Sequence, residues 1–107
     1  ISPYTKTNVV QLKDGKISEI TIDPKKLNIK VNKFEDLLGD NAKFNSNKII
    51  DIFKGEDNDF SKAVCLNTAA GLIVAEKHSS FDNAYEDARR HILSGKTYKN
   101  LKKIQNA

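Results

Sequence analysis

Residues 60–77 constrain the fold of this 107-residue chain more than any other stretch. Val64, Leu66, Leu72, Ile73 and Val74 recur at spacings that turn apolar groups in several directions around a helix of about Phe60 to Lys77. A helix apolar round most of its circumference has to be buried by other elements rather than laid on one surface. Within it, Ala69-Ala70-Gly71 reads as a small-residue shoulder for close approach of a neighbour, offsetting the roughly 1 kcal/mol that Gly71 costs in helix propensity. Asn67, in the same helix, reads as a hydrogen-bonded polar group in a helix contact ahead of a ligand-binding amide.

The other elements follow from local signals. Thr7 to Leu12 and Ile17 to Ile22 are rich in β-branched residues and join across Asp14-Gly15, which suits a tight hairpin turn. With a two-residue loop, Leu12 lies opposite Ile17 on one face and Val9 opposite Ile20 on the other, so the hairpin needs protein on both sides or a bulge. Asp23-Pro24 ends the second strand. Residues 25–40 read as irregular chain with a short helical turn at Phe34 to Leu38. Asp40 or Asn41 caps a helix carrying Ala42, Asn45, Ile49, Ile52 and Phe53, and Gly55 stops it. Ser79-Ser80 opens a further helix, with Ser79 and Asp82 as its capping box and a stripe of Phe81, Ala84, Tyr85, Ala88 and Ile92. Gly95 ends that helix, and a short last one bears Tyr98, Leu101 and Ile104. The expected class is therefore α+β, an N-terminal β-hairpin (1–24), the irregular stretch (25–40) and three to four α-helices (41–107), in one domain or part of one.

Composition narrows the function classes. No apolar run reaches the ~18 residues of a membrane span, and no signal peptide is visible, which points to a cytoplasmic protein. The single cysteine, Cys65, sits in the most apolar helix and reads as core. A nucleophilic role served by His78 or His91 needs a lowered thiol pKa that nothing supplies. The net charge of +4 raises nucleic acid as a partner, but the lysines are spread over Lys13, Lys16, Lys25, Lys26, Lys30, Lys33 and the tail from Lys96 to Lys103, without a recognition helix or zinc spacing. No specific nucleic-acid partner is expected. Glu56-Asp57 and Glu86-Asp87 read as solvated charge ahead of magnesium ligands, and the two histidines lack metal-ligand spacing. The chain starts with Ile and contains no Met, which suggests a piece of something longer.

The segment Ala63 to Glu76, with Asn67-Thr68-Ala69-Ala70-Gly71, then Ser80-Phe81-Asp82-Asn83-Ala84-Tyr85-Glu86-Asp87-Ala88 and Ser94-Gly95-Lys96-Thr97-Tyr98, resembles the carboxyl-terminal helices of the anthranilate phosphoribosyltransferases. Gly39-Asp40, Asn45-Ser46, Gly55-Glu56, Ser2-Pro3, Leu12 to Gly15 and Asp23-Pro24 extend that resemblance over essentially the whole chain. Ser46, where Ala is more usual, and Lys25-Lys26-Leu27-Asn28, in place of a more acidic turn, depart from it. The resemblance implies a carboxyl-terminal fragment of an α/β domain that starts just after an Asp-Glu pair binding magnesium. By the same resemblance, the intact enzyme would be a usually dimeric transferase of tryptophan biosynthesis, acting on anthranilate and phosphoribosyl pyrophosphate. No residue of this sequence matches a catalytic, cofactor-binding or metal position of that family. The segment is expected to be structural and inactive alone, to have the rest of the transferase chain as its partner, and to self-associate in isolation. A related nucleoside phosphorylase, a basic helical module binding nucleic acid or protein, and a structural subunit completing a separate catalytic piece are the alternatives.

Overall fold

A computed structural model describes all of residues 1–107. Strands β1 (Thr7–Lys13) and β2 (Lys16–Ile22) form an antiparallel hairpin, followed by α1 (Ala42–Phe53), α2 (Asp59–Val74), α3 (Phe81–Leu93) and α4 (Lys96–Gln105). Two 3-10 turns, Pro24–Leu27 and Phe34–Leu37, punctuate the connection. The fold is α+β, as the sequence implies, with four helices.

The hairpin register pairs Val9 with Ile20 and Leu12 with Ile17 without a bulge. Asp14 and Gly15 both take positive φ, 51° and 74°, the conformation a two-residue turn needs to match the strand twist. The face bearing Thr7, Val9 and Ile22 joins the body, with Ile22 in the core and Val9 packed against it. The opposite face is open: Val10, Leu12 and Ile17 are 69%, 72% and 74% exposed. The apolar two-faced pattern is thus met on one face only within this chain.

After β2, Asp23 caps the first 3-10 turn by accepting from the Lys25 N–H, and Pro24 starts it with a φ already suited to helix. This turn was not legible in the sequence, where Asp23-Pro24 signals only an end. The Lys62 ammonium donates to the Lys30 carbonyl at 2.7 Å and fastens the segment to α2. Ile29 reaches the core.

Of the two candidate caps for α1, Asn41 does the work, its Oδ1 accepting from the Phe44 N–H at 2.8 Å. Asn45 does not serve a buried stripe. Its side chain binds back to the Asp40 N–H and C=O, so closely that a Cβ on Gly39 would lie 2.6 Å from Asn45 Oδ1. Ala42, Asn45 and Ile49 are exposed, and Ile52 is the residue α1 buries. Gly55 ends the helix at φ +104°.

Helix α2 begins with a reciprocal capping box between Asn58 and Ser61. The expected box at Ser79 and Asp82 does not form; Ser80 directly precedes α3 and takes the Asn83 N–H itself. Cys65, Leu66 and Ala69 of α2 join Ala84, Tyr85, Ala88 and Ile92 of α3, with Ile52, Ile22 and Ile29, in one core. Leu66, Ala69 and Ala84 have no exposed area.

Gly71 is a correction. It is exposed, and a Cβ there would meet nothing within 4 Å. Ala69 provides the close approach instead, because Gly71 lies two residues on and about 200° round the helix.

Leu66→Ala should therefore cost about 2–5 kcal/mol through lost burial and a cavity. Gly71→Ala should raise stability by up to about 1 kcal/mol through helix propensity. Urea melts of the two variants check this; a loss at Gly71 would show that its face is covered.

Candidate functional site

The reactive side chains do not converge. Cys65 is 3% exposed, and burial, with Asp57 nearby, pushes its thiol up to about 11. That is the opposite of the lowered value a nucleophile needs. Neighbouring Tyr85 is raised by burial to about 12. His91 is exposed on α3, and His78 is engaged elsewhere.

The acidic pairs are split between structural partners. His78 Nε2 meets Asp87 Oδ2 at 2.8 Å across the turn between α2 and α3, and this hydrogen bond holds the Asp87 carboxyl below its ordinary value. Arg89 of α3 donates to Asp57 at 2.5 Å, tying the α1–α2 connection to α3. Glu56 accepts from Asn58 Nδ2 at 3.0 Å. Sequence reasoning treated Asp57 and Asp87 as solvated charge and did not find these partners, which lie far along the chain or across a turn. No three His, Cys, Asp or Glu side chains are grouped so as to hold a metal ion.

Asn67 is exposed on α2, with both Nδ2 hydrogens and one Oδ1 acceptor site used. Its Oδ1 accepts from the terminal ammonium of Ile1 at 2.7 Å, and its Nδ2 donates to the carbonyls of Ile1 and Ala63, each at 2.9 Å. It is a satisfied polar group, and its partner is a main chain rather than a second helix.

Two of the surface hollows lie near side chains named above. One, of about 340 Å³, lies between Pro3-Tyr4 and the 24–31 segment; the other, of about 180 Å³, lies between Leu27 and Tyr85 and is edged by Lys26, Asp82 and Glu86. Every buried side-chain nitrogen or oxygen in the chain already has a hydrogen-bond partner, so neither hollow has an orphaned buried group aimed into it. Lys102 of the basic tail also has local company: it and Lys54, at the end of α1, each place Nζ 5.4 Å from the centre of the Tyr98 ring. No helix is long and apolar enough to cross a membrane.

What the molecule does offer is uncovered apolar surface. Its accessible area is 7602 Å², about 1,600 Å² above the roughly 6,000 Å² expected of a monomer of its 12.0 kDa mass. A standard interface takes only about 800 Å² from each partner. The excess includes the open hairpin face and the end of α2, where Val74 is 83% exposed.

A family model described as "Glycosyl transferase family, a/b domain" matches residues 1–98. The chain belongs to this glycosyl transferase family. Among curated relatives, it is 77% identical over 106 residues to the anthranilate phosphoribosyltransferase of Pelagibacter ubique, covering 99% of this chain and 32% of that protein. The enzymes of the same name from Clostridium beijerinckii and Petrotoga mobilis are 35% and 36% identical, over 99% and 92% of this chain and 31% and 29% of their own lengths. The chain thus spans about a third of the length of the curated relatives it matches. The open hairpin face and the end of α2 are thus left uncovered within this chain, and the Cys65 thiol is a packing group of its core.

Native Cys65 should therefore react with a thiol reagent far more slowly at pH 8 than the urea-unfolded chain does. Equal rates in the two states would show that the thiol is accessible and that α2 is not packed as described.

Proposed function

We propose that this chain is the carboxyl-terminal part of the α/β domain of a cytoplasmic anthranilate phosphoribosyltransferase. In tryptophan biosynthesis the intact protein would transfer the phosphoribosyl group of phosphoribosyl pyrophosphate to anthranilate, with magnesium on the diphosphate. The observation that carries the reading is the 77% identity, held over 99% of the chain, to a relative bearing that name.

Within this reading the segment is structural. Its own acidic residues are unsuited to magnesium: Asp57 and Asp87 are taken by Arg89 and His78, and no third ligand stands near either pair. The groups that hold the metal, the diphosphate and anthranilate accordingly belong to the remainder of the intact protein. The α2–α3 core gives that remainder a rigid support, and the open faces of the hairpin and α2 give it surface to cover.

Two measurements test the proposal. The full-length gene product, purified free of host enzyme, should consume anthranilate when given phosphoribosyl pyrophosphate and magnesium, whereas the 107-residue chain alone should show no turnover, since positioning and electrostatic groups supply most of such catalysis. Absence of activity in the full-length protein, or its presence in the short chain, would overturn the assignment.

The short chain should also self-associate at tens of micromolar, through the hairpin's open edges and face and the exposed side of α2, because apolar patches of this kind rarely stay bare. The simplest arrangement is a two-fold dimer. Light scattering that reports a clean monomer, with no binding of a hydrophobic-surface dye, would show that the segment is self-sufficient.

A further inference from the structure

The positive charge of this chain is segregated along it. Residues 88–107 carry six of its 18 Lys and Arg residues and none of its 14 Asp and Glu residues, so they stand at +6 while the remainder stands at −2. Four of the six are Lys96, Lys99, Lys102 and Lys103, all exposed on α4. The ion pairs of the chain, Lys6–Asp23, Lys62–Asp59, His78–Asp87 and Arg89–Asp57, leave these four without a carboxylate partner.

With about 100° of turn per residue, Lys96, Lys99 and Lys103 fall within about 60° of one another round α4. Leu101 lies on the opposite side of the helix with Tyr98 next to it, and both are half-buried. Helix α4 therefore sits on the body by its apolar side and turns a row of lysines to solvent. The helix dipole accounts for Lys102 and Lys103 in the last turn, but not for Lys96, which stands at the positive end where a cation is disfavoured.

Two kinds of partner fit such a row poorly. Protein interfaces are depleted in lysine and draw their affinity from buried aromatic or arginine anchors, and the row holds none. A membrane-surface helix sinks its apolar side into the lipid, and that side of α4 is turned to the protein. A nucleic-acid backbone needs only cations that follow it. From Lys96 to Lys103 the row rises about 10 Å, at about 1.5 Å per residue. One strand of a duplex presents a phosphate about every 3.4 Å along its axis, so the three lysines can meet about three phosphates. We propose that the Lys96, Lys99 and Lys103 face of α4 binds the phosphate backbone of double-stranded nucleic acid without sequence preference. This function is separate from the transferase reading and does not depend on it.

The test follows the fluorescence anisotropy of a labelled duplex of mixed sequence, titrated with the full-length protein over a tenfold range of salt. Each neutralised phosphate adds about 0.9 to the steepness with which log affinity falls against log salt. Lys96→Gln, Lys99→Gln and Lys103→Gln should each remove about 0.9 of that slope, so that tenfold more salt weakens each variant about eightfold less than the wild type. The triple variant should remove about 2.7. The double variant Lys25→Gln, Lys26→Gln, on the turn after β2, should keep the wild-type slope, and a duplex of unrelated sequence should bind the wild type equally well. Melting temperatures equal to the wild type show that the variants remain folded, as substitution of exposed side chains should leave them.

Absence of binding at low salt, slopes unchanged in the α4 variants, or an equal change in the Lys25, Lys26 variant would overturn the proposal. Tighter binding to vesicles containing anionic lipid, or to polyglutamate, than to the duplex would also overturn it and assign the face to a membrane or an acidic protein. Turnover of anthranilate is measured separately, so either reading can fail while the other stands.

Discussion

Everything in this chain hangs from the contact of α2 with α3. Ala69, Ala84 and Ala88 bring the two helices close, Leu66 is sealed between them, and Tyr85 and Ile92 close the far side. Ile52 reaches this core from α1, and Ile22 and Ile29 from the hairpin's base and the segment after it. Small side chains at the seam let the two helix backbones approach while the larger Leu66 fills the space between them. The polar groups serve the same contact. The Asn58–Ser61 box and the Ser80 cap fix where the two helices start, and the Asp57–Arg89 and His78–Asp87 pairs tie down the connections on either side of α2.

Local chemistry was legible and distant partnership was not. The Asp14-Gly15 turn dictates the hairpin register because a two-residue loop leaves one way to pair the strands. The stripe on α3 was readable for the same reason, since its period alone places Phe81, Ala84, Tyr85, Ala88 and Ile92 on one side. Gly71 misled because a small residue in an apolar helix signals close approach only if it faces the neighbour, and the face is set by α3. Ser79 misled because both adjacent serines can cap and only the helix start distinguishes them. The 3-10 turn at Pro24–Leu27 was missed because Asx capping and a helix-start proline also mark the end of a strand.

For the candidate site the limit was of another kind. The sequence reading placed Cys65 in the core, where it lies, and Asn67 as a satisfied polar group in a helix contact, where it is satisfied but by Ile1 rather than a second helix. The partner of Asn67 lies 66 positions away at Ile1, and no periodicity connects them. Asp57 and Arg89, 32 apart, are likewise joined only by the fold. Ion pairs between partly exposed groups contribute little stability one at a time, so a charge pattern carries almost no trace of which carboxylate has a partner.

The same contact explains why apolar surface is left open on this fold. A helix needs about one apolar stripe to dock on a neighbour, yet α2 has apolar groups round most of its circumference and α3 uses only one side. Val74 is left 83% exposed at one end of α2, while on the hairpin Leu12 and Ile17 pair across a face that nothing in this chain covers. With a radius of gyration of 14.9 Å, against about 13 Å for a compact chain of this length, the molecule is drawn out rather than collapsed over these groups. The hairpin joins the helices at its base, through Ile22 and Val9. Both faces therefore stay uncovered within this segment, on either side of the α2–α3 core.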